Sequence, residues 1–356
     1  MSNFEPHSTH SEQARIYVKP MFSIVSMWFR FEARTLLKIT RPDSKTYLVW
    51  NLKLNIEICS MWKQQLDEIR QGNIKTLARC ISSIENEVPG YEDLLQELPH
   101  SAIPVIGITG PPGAGKSTLV DALIGSLVSD GRSVAVLCVD PSSPFNLGAL
   151  LGDRIRMSEW YNNPKVFIRS LATRGSLGGL HPKIIEISDL LKTAPFDYII
   201  IETVGVGQSE VEIAGLADAT IVVVVPEAGD EVQTMKAGLM EIADIFVVNK
   251  SDRPDADLFV KNLRLMLAPA FHIHSMEVPV IKTIALQKNG IDELLKKINN
   301  VLLYKKEDEK RYWLLAEKAF HLLQQRRMGD IDKAVLKESI KKAGADFNLY
   351  RFIKEY

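Results

Sequence analysis

The chain predicts an α/β fold, a mostly parallel sheet with helices on both faces, and three observations predict it. Between residues 101 and 300, short apolar runs alternate with helical stretches, the pattern of repeated βαβ units. The first of those runs breaks into a glycine-rich turn with the spacing GxxxxGKS, from Gly110 to Ser117. A later run, Phe246-Val-Val, ends in Asn249-Lys250-Ser251-Asp252. Sheets of this kind bind ligands beyond the carboxyl ends of their strands, and both motifs fall at such ends.

Taken in order, residues 1–60 show little patterning. The polar opening with His7, Ser8, Thr9, His10 and Ser11 predicts disorder. The apolar run from Met21 to Phe29 is cut short by Arg30 and Glu32 and lacks the small-residue cleavage site of a secretory signal. Arg15, Arg30, Arg34 and Arg41 favour a mitochondrial presequence; Glu5, Glu12 and Glu32 oppose one. Orderly patterning starts at Met61. Residues 1–60 are therefore expected to be a disordered extension, or sequence upstream of a natural start at Met61.

Residues 61–100 predict a helical arm. Trp62, Leu66 and Ile69 share a face, Gly72 interrupts it, and Ile74, Leu77, Ala78, Ile81 and Ile84 resume it. Within 101–300 the expected strands are Ile103–Thr109, Val134–Val139, Tyr198–Ile201, Thr220–Val225, Ile245–Val248 and Val278–Thr283. The glycine-rich turn should feed an amphipathic helix with Leu119, Leu123 and Leu127 on one face and Gly131 past its end. Residues 301–356 continue in helical period, with Tyr312, Leu315, Ala319 and Leu322 in register. That segment is too small to fold alone and is expected to dock on the nucleotide domain or on a second subunit.

Composition narrows the classes. A net charge of −1 over 356 residues argues against nonspecific nucleic-acid binding, which needs a basic excess. Three scattered cysteines, Cys59, Cys80 and Cys138, make no disulfide framework and suit a reducing compartment. The cytoplasm is expected, or the mitochondrial matrix in a eukaryote. No apolar run approaches the ~18 residues of a membrane span.

The glycine-rich turn carries the first piece of chemistry. Gly110, Pro111, Pro112, Gly113, Ala114, Gly115, Lys116, Ser117 and Thr118 form a phosphate loop whose backbone N–H groups curl toward phosphate oxygens. The positive end of the following helix faces the same anion. Lys116 reaches the β- and γ-phosphates, and the Ser117 hydroxyl is a Mg²⁺ ligand. Asn249, Lys250 and Asp252 carry the second. The Asp252 carboxylate accepts the guanine ring N1–H and exocyclic amine, a pair adenine does not offer. Asn249 meets the ring's acceptor edge, and the Lys250 stem lies along the base. Ala285 and Leu286, at the end of the next strand, occupy the place of a loop whose backbone contacts the guanine carbonyl.

Mg²⁺ asks for few, hard oxygen donors. Glu202 closes its strand and opens Glu202-Thr-Val-Gly205, where a carboxylate can hold Mg²⁺ and the Gly205 N–H can sense the γ-phosphate. Asp140 and Asp153 are the candidate further carboxylates. Val206 stands where small regulatory GTPases carry a water-orienting Gln, so Lys116, Glu202 and Gly205 are the only catalytic candidates the spacing supplies, and slow intrinsic turnover is expected. Lys236 is a candidate charge donor beyond these.

Four further stretches, Asp140-Pro-Ser-Ser-Pro-Phe, Leu150-Leu-Gly-Asp153-Arg-Ile-Arg-Met157, Arg174-Gly-Ser-Leu-Gly-Gly179 and Glu202-Thr-Val-Gly-Val-Gly-Gln-Ser-Glu210, together resemble the MeaB/ArgK (methylmalonic aciduria type A) family of P-loop GTPases. The resemblance spans roughly residues 61–325. It implies a P-loop GTPase that binds GTP and GDP with Mg²⁺ and helps an adenosylcobalamin-dependent mutase such as methylmalonyl-CoA mutase. Such a helper gates cofactor loading and protects or reactivates the mutase. The resemblance also implies a homodimer built through helical segments, and switch behaviour in 141–157, 203–212 and 225–236. It implies the metal set Ser117, Asp140, Asp153 and Glu202. Leu147, before Gly148, departs from the family's more frequent second glycine. Three rivals remain: a nickel or zinc insertion GTPase, which would want the Cys and His clusters missing here; an ATPase or kinase linked to amino-acid transport, against which Asn249–Asp252 argues; and an interaction module that binds GTP without turnover, which the missing adjacent Gln allows.

Overall fold

The computed structural model describes residues 61–140, 157–173, 180–205, 209–227, 240, 242–267, 278–304, 309–329, 331–344 and 347–354. Asp153, Lys236, Val206 and the stretches 141–156, 174–179 and 228–239 lie outside them, as do residues 1–60. Residues 62–356 form one compact unit.

Its frame is a seven-stranded sheet, parallel throughout. The strands are β1 (Val105–Thr109), β2 (Val134–Asp140), β3 (Val166–Ala172), β4 (Tyr198–Glu202), β5 (Ala219–Val224), β6 (Ile245–Val248) and β7 (Val280–Lys282), in the spatial order β3-β2-β4-β1-β5-β6-β7. β1, β2, β5 and β6 are buried along their whole length, which is why they read as continuous apolar runs rather than alternating ones. The helices of the arm are α1 (residues 61–70), α2 (Ile74–Glu85) and α3 (Tyr91–Gln96). Those between and after the strands are α4 (Lys116–Ser129), α5 (Ile184–Leu191), α6 (Ser209–Leu216), α7 (Ala256–Leu267) and α8 (Ile291–Tyr304). Last come α9 (Glu309–Arg327), α10 (Lys333–Ala343) and α11 (Leu349–Ile353).

α4 and α8 bury Leu119, Leu123, Ile124, Leu294 and Ile298 against one face of the sheet, on Ile106, Ile108, Val136, Ile221 and Val247. α7 covers the other face with Phe259, Val260 and Leu263 on Val222, Phe246 and Val248. At ~1.5–3 kcal/mol per fully buried aliphatic or aromatic side chain, these two layers are the main source of stability.

At the end of the sheet opposite the ligand side, aspartates set the register. Asp218, just before β5, accepts a hydrogen bond from the N–H of Val105 at 2.9 Å, and Asp244, just before β6, accepts from Thr220 at 2.8 Å. Asp197, just before β4, accepts from the N–H and hydroxyl of Ser133 at 2.7 and 2.9 Å and pairs with Arg132. Each carboxylate thus receives the first free N–H of a neighbouring strand, or of the residue leading into it. Burial opposes the charge on Asp197, but the Ser133 bonds and Arg132 outweigh it and hold the carboxyl below its ordinary value.

Two expectations need correction. β3 was not among the expected strands, because Arg169 and Ser170 break its apolar run. Arg169 finds its partners far away, donating to Glu85 and to Ser82 Oγ on α2. The arm therefore covers this edge of the sheet, and Lys183 adds a second tie by donating to Tyr91 Oη at 2.9 Å and pairing with Glu87 at 3.0 Å. Burial opposes the Lys183 charge, yet those partners and Glu186 raise its pKa. The second correction concerns α4. It is not a one-faced amphipathic helix, since Val120, Ala122, Ile124 and Gly125 are buried alongside Leu119, Leu123 and Leu127. The opposite edge of the sheet, β7, is three residues long and carries Lys282 paired with Asp257, a short charged edge that resists strand addition.

Candidate functional site

β1 delivers Thr109 into the phosphate loop, and α4 begins at Lys116 directly after it. Gly115 adopts a left-handed conformation (φ 88°) and caps the helix without a side-chain hydrogen bond, so that the positive end of α4 faces the loop. Lys116, 6% exposed, curls back so that its ammonium donates to Gly110 O at 2.9 Å and Pro111 O at 3.1 Å. The charge is held over the mouth of the loop.

Ser117 donates its hydroxyl proton to Glu202 Oε1 at 2.7 Å, both side chains being buried. β4 pairs with β1 so that Glu202 stands opposite Ile108, which is what brings the end of β4 to the phosphate loop. Asp140 ends β2, the neighbour of β4 on its other side, and is 5% exposed. A serine hydroxyl and two carboxylates, buried at adjacent strand and helix ends, are a hard all-oxygen donor set of the kind Mg²⁺ takes. Among the described residues no three His, Cys, Asp or Glu side chains converge as a metal cluster.

Gly205 has φ 85°, and a Cβ there would overlap Gly110 O and the Lys116 ammonium. Only glycine lets this backbone come so close to the loop. On the flank of the loop, the Trp160 indole donates to Asp121 Oδ1 on α4 at 2.7 Å, and Met157 is fully buried beside it. These contacts fix the chain where it re-emerges after residue 156.

The base-side residues do more than the spacing suggested. Asn249, 2% exposed, accepts from the Ala285 N–H and the Thr283 hydroxyl, each at 3.1 Å, and donates to Ala114 O at 3.0 Å. Lys250, in a left-handed conformation (φ 56°), donates to Gly113 O at 2.8 Å. The strand ends after β6 and β7 are thus hydrogen-bonded to each other and to the phosphate loop. One amide proton of Asn249 stays available for a ring acceptor. Asp252 is exposed one turn further on, and Leu286, 86% exposed, stands beside Ala285. Thr283, and the buried pair Thr109 and Thr203, are contributors that sequence reasoning did not single out. A threonine at the last position of an apolar strand, or directly after it, was the available signal.

The structure therefore brings Gly110–Ser117, Glu202, Gly205, Asn249, Lys250 and Ala285 together at one end of the sheet. Asp153 and Lys236 are outside the described residues. The family model described as methylmalonyl-CoA mutase-associated GTPase MeaB matches residues 77–337. A protein of Pyrococcus abyssi with a provisional GTPase name is 46% identical over 244 residues, covering 67% of this chain and 75% of its own length. The GTPase ArgK of Escherichia coli is 38% identical over 242 residues, 65% of this chain and 73% of its own. Among solved structures, one described as a LAO/AO transport system kinase superposes with a TM-score of 0.59 at 27% identity, covering 83% of this chain and 96% of the other. With more than half the chain matched and a phosphate loop tied to a guanine-type strand end, this protein belongs to the MeaB family of P-loop GTPases.

Proposed function

We propose that this GTPase is a chaperone for an adenosylcobalamin-dependent acyl-CoA mutase, gating cofactor loading and protecting or reactivating the mutase at the expense of GTP. The observation that carries the reading is the match of residues 77–337 to a mutase-associated GTPase family, on a chain whose phosphate and base loops are joined through Asn249. GTP enters with its phosphates on the N–H groups of Gly113–Thr118 and its charge balanced by Lys116. Asp252 reads the N1–H and amine of guanine, Asn249 the acceptor edge, and Leu286 and the Lys250 stem flank the ring.

Ser117, Asp140, Asp153 and Glu202 would hold Mg²⁺, which supplies charge neutralisation between the β- and γ-phosphates. Glu202 accepts the Ser117 hydroxyl proton and so orients that oxygen. Gly205 N–H meets the γ-phosphate. With no Gln directly after Gly205, the chain alone orients the attacking water poorly, so turnover is slow until a partner completes the site.

A homodimer fits this reading. α9 lies against α6, yet Tyr312, Leu315, Phe320 and Leu323 on α9 and Val335 and Ile340 on α10 are exposed in the single chain. Sedimentation of the full chain beside Phe320→Asp tests it: the wild type should run as a dimer and the variant as a monomer.

Turnover of GTP, with ATP as control, should be measured with and without a purified adenosylcobalamin-dependent acyl-CoA mutase. A slow GTP-specific rate that rises with the mutase supports the proposal. A rate unmoved by any such mutase refutes the chaperone role and leaves the GTPase.

A further inference from the structure

Thr109 is the last residue of β1, and Thr203 is the first residue beyond β4. Their exposures are 0% and 1%. The hydroxyl of Thr203 donates to Thr109 Oγ1 at 2.9 Å, and the N–H of Thr203 donates to Ile108 O at 3.0 Å. One strand runs straight into the phosphate loop, the other into the segment that holds Glu202 and Gly205. Thr203 sits between the carboxylate that receives Ser117 and the glycine pressed against Gly110 and Lys116.

Packing alone does not explain two hydroxyls here. Buried among apolar strand ends, a hydroxyl costs free energy unless it is bonded, while valine fills nearly the same volume with nothing to satisfy. β1 also holds the chain further on. Gly107 faces α6 so closely that a Cβ would lie 2.6 Å from Ile213 Cγ1 and 2.9 Å from Ala217 Cβ. The chain leaving β4 is therefore tied to β1 at Thr109 and returns to it at Gly107.

We propose that the Thr203–Thr109 hydroxyl pair is a positioning element that holds Glu202 and Gly205 in register with the phosphate loop. It rests on the reading of Ser117, Glu202 and Gly205 given above. Both side chains are buried, so the role assigned to the pair is to act through Glu202 and Gly205 rather than by contact with nucleotide or metal. Its effect is on where the two groups beside it stand when hydrolysis occurs, and not on how tightly the loop grips the nucleotide.

The test compares the full chain with Thr203→Val, Thr203→Ser, Thr109→Val and the double valine variant. Thr203→Val should lower kcat for GTP about tenfold, since sub-ångström misplacement of reacting groups has effects of this order. KM for GTP should rise by no more than the Mg²⁺-dependent gain in nucleotide affinity falls, because the loop's own grip is untouched. A second readout is the affinity for a fluorescent GDP with Mg²⁺ and with EDTA: the gain from Mg²⁺ should shrink in Thr203→Val, and the affinity in EDTA should not change. Thr203→Ser keeps the donor and should restore both. The double variant should be no worse than the worse single, as expected of one shared bond.

A Thr203→Val protein with wild-type kcat and Mg²⁺ gain overturns the proposal. So does a loss that Thr203→Ser fails to restore, which would mark a packing effect. Glu202→Gln separates the two levels. If it leaves kcat and the Mg²⁺ gain intact, the reading of the metal site fails and the proposal falls with it. If it lowers both while Thr203→Val lowers neither, the positioning role alone fails.

Discussion

Replacing Asn249 with alanine should weaken the protein and its grip on nucleotide together, and the structure sets the size of both effects. The side chain is 2% exposed and makes three hydrogen bonds, to Ala285 N, Thr283 Oγ1 and Ala114 O. A neutral hydrogen bond is worth ~0.5–1.5 kcal/mol net, and a buried group left without a partner costs ~1–3 kcal/mol. Thr283 can rotate its hydroxyl elsewhere, whereas the Ala285 N–H is fixed by its turn. The expected loss is therefore about 2.5–7.5 kcal/mol in all, counting three bonds and one orphaned donor. The bonds join the two loops that grip opposite ends of the nucleotide, so part of the loss must appear in binding. At ~1.4 kcal/mol per tenfold, a GDP affinity at least about 30-fold weaker is expected. Lys250→Ala is the internal comparison. It removes one bond to Gly113 O from a half-buried lysine and should cost under about 1 kcal/mol of stability. Urea unfolding followed by circular dichroism gives stability, and displacement of a fluorescent GDP gives affinity. An Asn249→Ala protein that unfolds at the wild-type urea concentration and binds GDP within about twofold would refute the reasoning.

Three further outcomes are expected. Lys116→Ala should abolish tight GTP binding while leaving the fold intact by circular dichroism, because it removes the cation that Gly110 and Pro111 hold over the loop; equilibrium dialysis at micromolar protein decides it. Asp252→Asn should move preference from guanine toward xanthine, and competition of GTP against XTP will read the switch. Asp197 has its pKa held below the ordinary 3.8, so its contribution is present above that value and is lost as pH falls through the folded pKa. Asp197→Ala should accordingly lower stability at neutral pH and flatten the decline of stability below about pH 4, the ordinary carboxylate range, in thermal melts across pH.

The parts of this fold that could be read from the sequence are those in which chemistry dictates backbone. A loop that cradles phosphate needs its glycines at fixed spacing, and the Asn249-Lys250-Ser-Asp252 stretch needs a strand before it, so Gly110–Thr118 and Asn249–Asp252 were legible without any knowledge of contacts. β3 was illegible for the opposite reason. Arg169 looks like a strand breaker until its partners Glu85 and Ser82 are known, and they stand on a helix 84 and 87 residues earlier. α4 hid its packing in the same way: a helix buried on several faces has no clean period to detect. Asp197, Asp218 and Asp244 lie between these cases. Each stands immediately before an apolar run, a repeat visible in the letters, but its meaning is a hydrogen bond to a neighbouring strand and depends on the strand order. The Thr109 and Thr203 pair is of that kind too. Two strand-end threonines become one interaction only because β1 and β4 are neighbours in register, Ile108 beside Glu202. Local chemistry named the groups that would meet the nucleotide, and the pairing of non-adjacent strands decided which side chains hold those groups in place.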